Sequence, residues 1–206
     1  MVIPSPSLSR HLRRQRGFSM LEVLITIVVV SLGLLGMAGL QARVQVSEVE
    51  SYQRAQALLL LTDMVNRIAT NRSVPATYVT ASPLGAGMTC PTIATTSTTT
   101  TLQQNDFVEW CNELQGAAET SGSNKLGAVI GGRGCIESIG NGQYMVTVAW
   151  QGLNPIAPPP PSVPSVPGVN GATCGTNLYN GGTGSTCVSD MCRRVVTTVV
   201  RIAPLS

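Results

Sequence analysis

The sequence predicts an α+β fold, in which one long N-terminal α-helix packs on a small antiparallel β-sheet. Three observations support this prediction. Residues 23–40 carry no charged side chain, and residues 41–71 contain neither glycine nor proline, as in a long helix. Tyr144, Val146, Val148 and Trp150 recur at every second position, with the polar or small Thr147 and Ala149 between the last three, which is the period of a strand. The run 192–204 is rich in β-branched residues, which favour strands.

A basic, polar leader of 17 residues precedes the apolar segment. It contains Arg10, Arg13, Arg14 and Arg16 and no acidic residue. The whole chain carries a formal net charge of +3, but after Gly17 only 9 basic and 10 acidic side chains remain, a net charge of −1. No basic patch is left for nucleic acid, so we expect no nucleic-acid partner.

The only histidine of the chain, His11, also lies in the leader. If the leader is removed, histidine-dependent triads are excluded and most zinc enzymes are disfavoured. No phosphate-binding loop and no convergent group of acids or thiols replaces them. We therefore expect no catalytic residue, no metal site and no cofactor.

The apolar segment is long enough to cross a membrane and continues into further helix. Residues 18–40 would span about 35 Å at 1.5 Å per residue, close to the thickness of a bilayer core. Helix-favouring composition continues from Gln41, and Asn71 and Pro75 mark the end. We predict one continuous helix, with a break near Gly39 as the alternative. Its later part has an apolar stripe at Ala55, Leu58, Leu61 or Thr62, Val65, and Ile68 or Ala69.

The remaining residues predict a head with one short helix and three or four strands. Residues 105–114 form an amphipathic helix that Asn105 or Asp106 caps. Residues 134–140 and 143–152 form a hairpin around the turn "IGNGQ", and the C-terminal run supplies another strand. The proline-rich segment 154–168 forms a stiff extended loop, and the threonine-rich segment 95–101 forms an exposed loop.

Several side chains of the head carry separate expectations. Six cysteines form disulfides in an oxidising compartment, although the sequence leaves all 15 pairings open. Trp110 and Trp150 are core anchors. Arg193 and Arg194 either face an acidic partner or lie at a solvated strand end. Surface acids are Glu109, Glu113, Glu119 and Glu137, and the disulfide candidates are Cys90, Cys111, Cys135, Cys174, Cys187 and Cys192.

The start of the long helix resembles a known signal. The stretch "GFSMLEVLI", residues 17–25, resembles the class III prepilin signal, with a basic leader that ends in glycine, then phenylalanine, then a glutamate five residues into the mature chain. The wider sequence resembles the PilV-like minor pilins, also called type IV pilus modification proteins. The motifs that carry this wider resemblance are "QALLLLTDM", "W-x-N-x-L", "GxGCI" and "YxVTVxW".

This resemblance implies a pilin-like fold and a set of processing steps. A prepilin peptidase would cut between Gly17 and Phe18 and then methylate the new amine of Phe18. Glu22 would pair with the Phe18 amine of a neighbouring subunit in the filament. The parts of the chain would be a leader (1–17), a transmembrane and filament-core helix (18–40), an amphipathic helix (41–72) and a periplasmic head (73–206).

The resemblance also implies partners and a location. The partners would be prepilin peptidase, other minor pilins, the major pilin, the inner-membrane assembly platform and a tip adhesin. The leader arginines predict a cytoplasmic N-terminus, so the chain would cross the inner membrane once and later reach the pilus at the cell surface. Its role would be pilus biogenesis in a priming or tip complex, which supports twitching motility and adhesion.

Two alternatives use the same N-terminus. A minor pseudopilin of a type II secretion system would share the leader and the helix, although the six cysteines, the proline-rich loop and the "YMVTVAW" strand favour the pilus. A membrane-anchored periplasmic enzyme is the third hypothesis, and the absence of histidine after residue 17 argues against it.

Overall fold

The computed structural model describes residues 17–92, 102–117, 120–122, 124–125, 129–160 and 173–203. The threonine-rich segment 95–101, Glu119 and the second half of the proline-rich segment lie outside the described residues. The chain divides into two compact units, one up to Gln45 and one from Val46 onward.

The long helix, α1, runs from Met20 to Thr70 without interruption. The predicted continuous helix is therefore confirmed, and the alternative break near Gly39 is wrong. Within the first unit the described side chains of α1 are all exposed. By length and composition this part of the helix is apolar enough to cross a membrane, and a lipid environment would remove that apolar surface from water.

Within the second unit α1 buries one narrow stripe. Two members of the predicted stripe, Leu61 and Ile68, are buried, but Ala55 and Leu58 are exposed. The run of four leucines at 58–61 is apolar on every side of the helix, so it cannot define which side faces the core. The buried residues step by four, four, three and four: Gln53, Ala57, Leu61, Met64 and Ile68.

After α1 come a short 3₁₀ helix at Pro75–Tyr78, a second α-helix and several strands. The strands are β1 (Leu84–Gly85), β2 (Thr120–Ser121), β3 (Asn124–Lys125), β4 (Arg133–Gly140), β5 (Gln143–Gln151) and β6 (Arg193–Arg201). Four of them form an antiparallel sheet in the order β1-β4-β5-β6, and β2 pairs with β3 separately. This arrangement confirms the predicted α+β fold with a small antiparallel sheet.

The β4–β5 hairpin turns at Asn141 and Gly142. Both residues have positive φ, 52° and 67°, as a two-residue type I′ turn requires. Asparagine and glycine adopt this conformation at low cost, so the predicted turn is confirmed.

The second α-helix, α2, extends from Leu102 to Leu114. It therefore begins before Asn105, and the prediction that Asn105 or Asp106 caps it is wrong. Asp106 lies inside the helix and is buried, with 6% of its surface exposed. Its carboxylate is turned into the head, where it accepts hydrogen bonds from Tyr78 and Arg67.

The main core lies among α1, α2 and the sheet. Trp110 is fully buried and Trp150 is 4% exposed, so both tryptophans are core residues as predicted. The Trp110 indole donates a hydrogen bond from Nε1 to the carbonyl oxygen of Leu60 in α1, at 2.9 Å. Its ring lies against Gly134, where a Cβ atom would come within 2.2 Å of Cη2. Glycine at 134 therefore lets the indole pack directly on the β4 backbone.

Three disulfides crosslink the head. They join Cys90 to Cys111, Cys135 to Cys174 and Cys187 to Cys192, with sequence separations of 21, 39 and 5. All six cysteines are paired, which confirms the disulfide prediction. Each cysteine bonds to its neighbour along the chain, one of the 15 pairings that the sequence left open.

Candidate functional site: the start of the long helix

The residues before α1 form a short exposed segment. Gly17, Phe18 and Ser19 have no helical hydrogen-bonding pattern, and Phe18 is 83% exposed. A Cβ atom built on Gly17 would meet no other atom within 4 Å. The peptide bond between Gly17 and Phe18 therefore lies in exposed, non-helical backbone, which is the state that a protease needs.

Ser19 fixes the point at which the helix begins. Its Oγ accepts a hydrogen bond from the backbone N–H of Leu21 at 3.3 Å. Its carbonyl oxygen accepts from the N–H groups of Glu22 and Val23 at 3.0 and 3.3 Å. Ser19 is thus the N-cap of α1, and it satisfies a donor that the helix leaves unpaired.

The sequence reasoning missed Ser19, although a signal was present. Ser19 and Glu22 are three residues apart, which is the spacing of a capping box at a helix start. Glu22 is the acidic residue of the first turn. A carboxylate there interacts favourably with the positive end of the helix dipole, an effect typically of about 0.3–1 kcal/mol at a surface.

The carboxylate of Glu22 would have a larger electrostatic effect on the helix start if the chain began at Phe18. A new N-terminal amine would add a positive charge beside the exposed N–H groups of the first turn, where cations are disfavoured. The carboxylate of Glu22 is one helical turn away and is the nearest acid along the chain. The local chemistry would therefore give this acid an electrostatic role within its own chain.

The six predicted cysteines form no reactive site, because all of them are consumed in disulfides. Among the described residues no group of three or more histidine, cysteine or acidic side chains could hold a metal ion. The candidate site is therefore the segment 17–22 itself.

Two of the predicted surface acids belong to a charged cluster around Arg67. Arg67 donates hydrogen bonds to Asp63 and Glu109 at 2.6 Å and to Asp106 at 3.1 Å, and Glu113 lies 3.5 Å away. Burial alone would lower the pKa of Arg67, but these hydrogen bonds outweigh it and raise the pKa. The prediction of simply solvated acids is wrong for Glu113, because only 34% of its side chain is exposed. Burial, followed by the charge of Asp63, raises the pKa of its carboxyl group.

Neither predicted role of Arg193 and Arg194 matches the structure. Arg193 is 5% exposed, lies 3.5 Å from Asp190 and donates to the carbonyl oxygen of Cys174. Arg194 donates to the carbonyl oxygen of Asn154 at 2.6 Å and lies 3.4 Å from Glu50. Both guanidinium groups connect parts of the head, so neither lies at a solvated strand end and neither is available to bind an acidic partner protein.

Comparison with known proteins agrees with the geometry of the helix start. Residues 12–38 match the family described as the prokaryotic N-terminal methylation motif. No curated protein and no solved structure matches the chain. The matched motif supports a general role as a type IV pilin or pseudopilin, and it indicates a structural rather than an enzymatic protein. It also implies processing by a prepilin peptidase and assembly with other pilins, and together with the long apolar helix it fits a membrane-anchored pilin.

Proposed function

We propose that this protein is a PilV-like minor pilin, which acts in the priming or tip complex of a type IV pilus and so supports twitching motility and adhesion. One observation carries the proposal. The motif match at residues 12–38 covers the cleavage segment, Glu22 in the first turn and the following uncharged stretch of α1. An adhesin at the tip, the major pilin and the inner-membrane assembly platform are its further partners.

Processing is the first step of the proposed function. Prepilin peptidase removes residues 1–17 and methylates the amine of Phe18. Glycine at 17 supports this step, because it presents no side chain to the enzyme and lies in exposed backbone outside α1. The protein is the substrate in this reaction and supplies no catalytic group.

Topology follows from the charges on either side of the apolar stretch. The four leader arginines hold the N-terminus in the cytoplasm, so the chain crosses the inner membrane once and its head faces the periplasm. The three disulfides agree with that compartment, because disulfides persist in oxidising surroundings. In this scheme residues 18–40 form the membrane and filament-core helix, 41–72 the amphipathic helix and 73–206 the head.

Glu22 directs assembly in this proposal. An unpaired carboxylate is costly among packed apolar helices, and an opposite charge at hydrogen-bonding distance compensates it. The Phe18 amine of a neighbouring subunit supplies that charge. Because the attraction strengthens in a medium of low dielectric and falls with distance, one axial register between helices is favoured over others.

Substitution of Glu22 tests the assembly step. Glu22→Gln removes the charge and retains the shape, so the leader should still be removed while incorporation into sheared pili falls at least about tenfold, the equivalent of about 1.4 kcal/mol. Glu48→Gln is the matched control, because Glu48 is another exposed acid of α1. Quantitative immunoblotting of pili and membranes gives the ratio. Equal incorporation of the two variants would contradict the role of Glu22.

Partner identity separates the pilus from the secretion pseudopilus. Crosslinking mass spectrometry on intact membranes should join the head to minor pilins of the pilus. Crosslinks to pseudopilins of a secretion system, with none to pilus subunits, would replace the proposal by its alternative.

A further inference from the structure

We propose that the outer edge of β6 is a docking site for an extended segment of another protein, which adds to the sheet as an antiparallel strand and carries a carboxylate next to Arg201. The inference concerns only the head. It holds for a pilin and for a pseudopilin alike, so it does not depend on the proposed function.

The hydrogen-bond pattern shows which backbone groups of β6 point outward. Gly152 N–H donates to the carbonyl oxygen of Cys192 at 2.7 Å, and Ile202 N–H donates to that of Gly142 at 2.8 Å. These bonds and the β5–β6 register place the even-numbered residues of β6 in hydrogen-bonded pairs with β5. The odd-numbered residues Val195, Thr197 and Val199 therefore direct their N–H and C=O groups away from the sheet.

Within the part of the chain that the structure describes, these outward groups have no hydrogen-bond partner. The strand is nine residues long and pairs with β5 along its whole length without a bulge. It contains no proline and reads "RRVVTTVVR". Proline, bulges and short length are three of the devices that protect natural sheet edges, and β6 has none of these three; its charged side chains lie only near its two ends.

The opposite edge of the same sheet is protected. The N–H and C=O groups of β4 that point away from β5 belong to its even-numbered residues. Segment 80–86 forms hydrogen bonds along this edge. Ala86 N–H donates to Gly132, β1 pairs with Gly134, and Thr80 both donates to and accepts from the backbone of Ile136. The described residues thus cover one edge over this stretch and leave the other open, which is the arrangement used when an extended peptide adds to a sheet.

The charged side chains of β6 indicate which kind of strand would bind at its outer edge. Arg193 and Arg194 already have intramolecular partners, whereas Arg201 is exposed and has no ion-pair partner among the described residues. In an antiparallel arrangement Arg201 lies beside the N-terminal end of the added strand. An acidic residue at that end, followed by β-branched residues, complements the edge.

A second copy of the chain fits less well. Antiparallel pairing of two β6 strands about Thr197 would place Arg201 of each chain opposite Arg193 of the other. Like charges directly opposite each other destabilise a sheet. The nearby Asp190 is already engaged by Arg193 and by the backbone N–H of Asn177. The edge therefore favours a different, acidic partner strand.

The test uses the full chain in detergent micelles and a fluorescent nine-residue peptide that begins with glutamate and then alternates valine and threonine. Every second backbone amide of the peptide, on the edge that faces away from β6, is N-methylated so that peptide molecules cannot pair with one another. We expect saturable binding, and hydrogen exchange at Val195, Thr197 and Val199 should slow at least about tenfold. The amides of Val196 and Thr198, which already bond to β5, should change little.

Two control peptides define the mode of binding. Methylation of the other set of amides removes the donors that face β6, so this peptide should not bind. A peptide that begins with lysine should bind at least about fivefold more weakly to the wild type, and Arg201→Glu should reverse that preference. Equal binding of the two methylated peptides, or no difference between the glutamate and lysine peptides, would overturn the proposal.

A pair of variants tests the edge itself. Thr197→Pro deletes one outward N–H and no bond to β5, so it should abolish binding, whereas Thr197→Val should retain it. If Thr197→Pro does not fold, the two methylated peptides decide the question on the wild-type chain. Slowed exchange at Val195, Thr197 and Val199 that grows with protein concentration in the absence of peptide would show self-pairing and refute a different partner.

Discussion

At the residue scale, Asp106 shows how the head accommodates a buried charge. Its carboxylate lies in α2 and accepts one hydrogen bond from Tyr78 and one from Arg67, the latter at 3.1 Å. Asn71 donates to the Tyr78 hydroxyl at 3.0 Å, so the network reaches the end of α1. A buried charge without such partners would be strongly destabilising, and we therefore assign this network a structural role.

The network predicts a particular response to alkaline pH. Burial, together with the hydrogen bond to Asp106, raises the pKa of Tyr78 to about 12 from an ordinary value of 10.0. The folded state thus holds the phenol proton more tightly than the unfolded state. The stability that this proton confers is complete below about pH 10 and is lost as the pH rises towards about 12.

Tyr78→Phe should therefore lower the free energy of unfolding at neutral pH by about 1–3 kcal/mol, because it removes one of the two hydrogen bonds that the buried carboxylate of Asp106 accepts and leaves only the one from Arg67. It should also reduce the loss of stability between about pH 9 and about pH 11, measured by urea unfolding. Some loss should persist, since burial also raises the pKa of Tyr179. Tyr52→Phe is the control, because Tyr52 is 52% exposed. An unchanged pH slope in Tyr78→Phe would contradict the assignment.

The sequence contains a local pattern for the helix start but none for this network. Gly17, Phe18 and Glu22 lie within six consecutive residues, so their spacing alone gives the pattern. Arg67 and Asp106 are 39 residues apart and meet only because α1 and α2 pack together. In the sequence Asp106 looked like a helix cap, since the true start of α2 lies three residues before the predicted one and has the apolar side chain of Leu102.

At the element scale, short sequence patterns predicted where the helix and the hairpin lie, whereas tertiary packing determined which side of the helix is buried. The hairpin around Asn141 and Gly142 follows from turn chemistry that two residues specify. The continuous α1 follows from composition that favours helix on both sides of Gly39. The buried side of its later part did not follow, because the sheet selects one side of a helix that is leucine-rich all round.

The disulfides are the element-scale feature with the clearest energetic test. In the chain-entropy model, a crosslink restricts the unfolded chain more when it closes a longer loop. The Cys135–Cys174 bond closes a separation of 39 residues and Cys187–Cys192 one of 5. Replacing the first pair by alanine should lower the free energy of unfolding by ~4 kcal/mol, and replacing the second by ~2 kcal/mol.

Urea unfolding of the two double-alanine variants under oxidising conditions measures this difference. The remaining two disulfides stay intact in each variant, so each serves as the reference for the other. A larger loss for the Cys187 and Cys192 pair would show that local packing of that loop, and not restriction of the unfolded chain, dominates the contribution of these crosslinks.

At the scale of the whole molecule, the two compact units correspond to two kinds of surface. The unit up to Gln45 has an exposed, uncharged and apolar helical stretch from Val23, which water does not favour. The unit from Val46 onward has its own core and three disulfides. The first unit therefore needs an apolar environment. The motif at 12–38 implies two such environments, which are a membrane and, after assembly, the helices of other pilins.

Removal of the leader is the central claim, and the intact mass of the mature protein tests it most directly. The chain is expressed together with prepilin peptidase, purified from membranes and analysed by mass spectrometry with sequencing of its first peptide. Gly17→Leu is compared with Gly182→Leu, since a side-chain carbon at either glycine would meet no other atom within 4 Å and neither should disturb folding. The wild type and Gly182→Leu should begin at Phe18 with one added methyl group on the amine, while Gly17→Leu should retain all 17 leader residues. A wild-type chain that keeps its leader, or a Gly17→Leu chain that is cut equally well, would contradict the account.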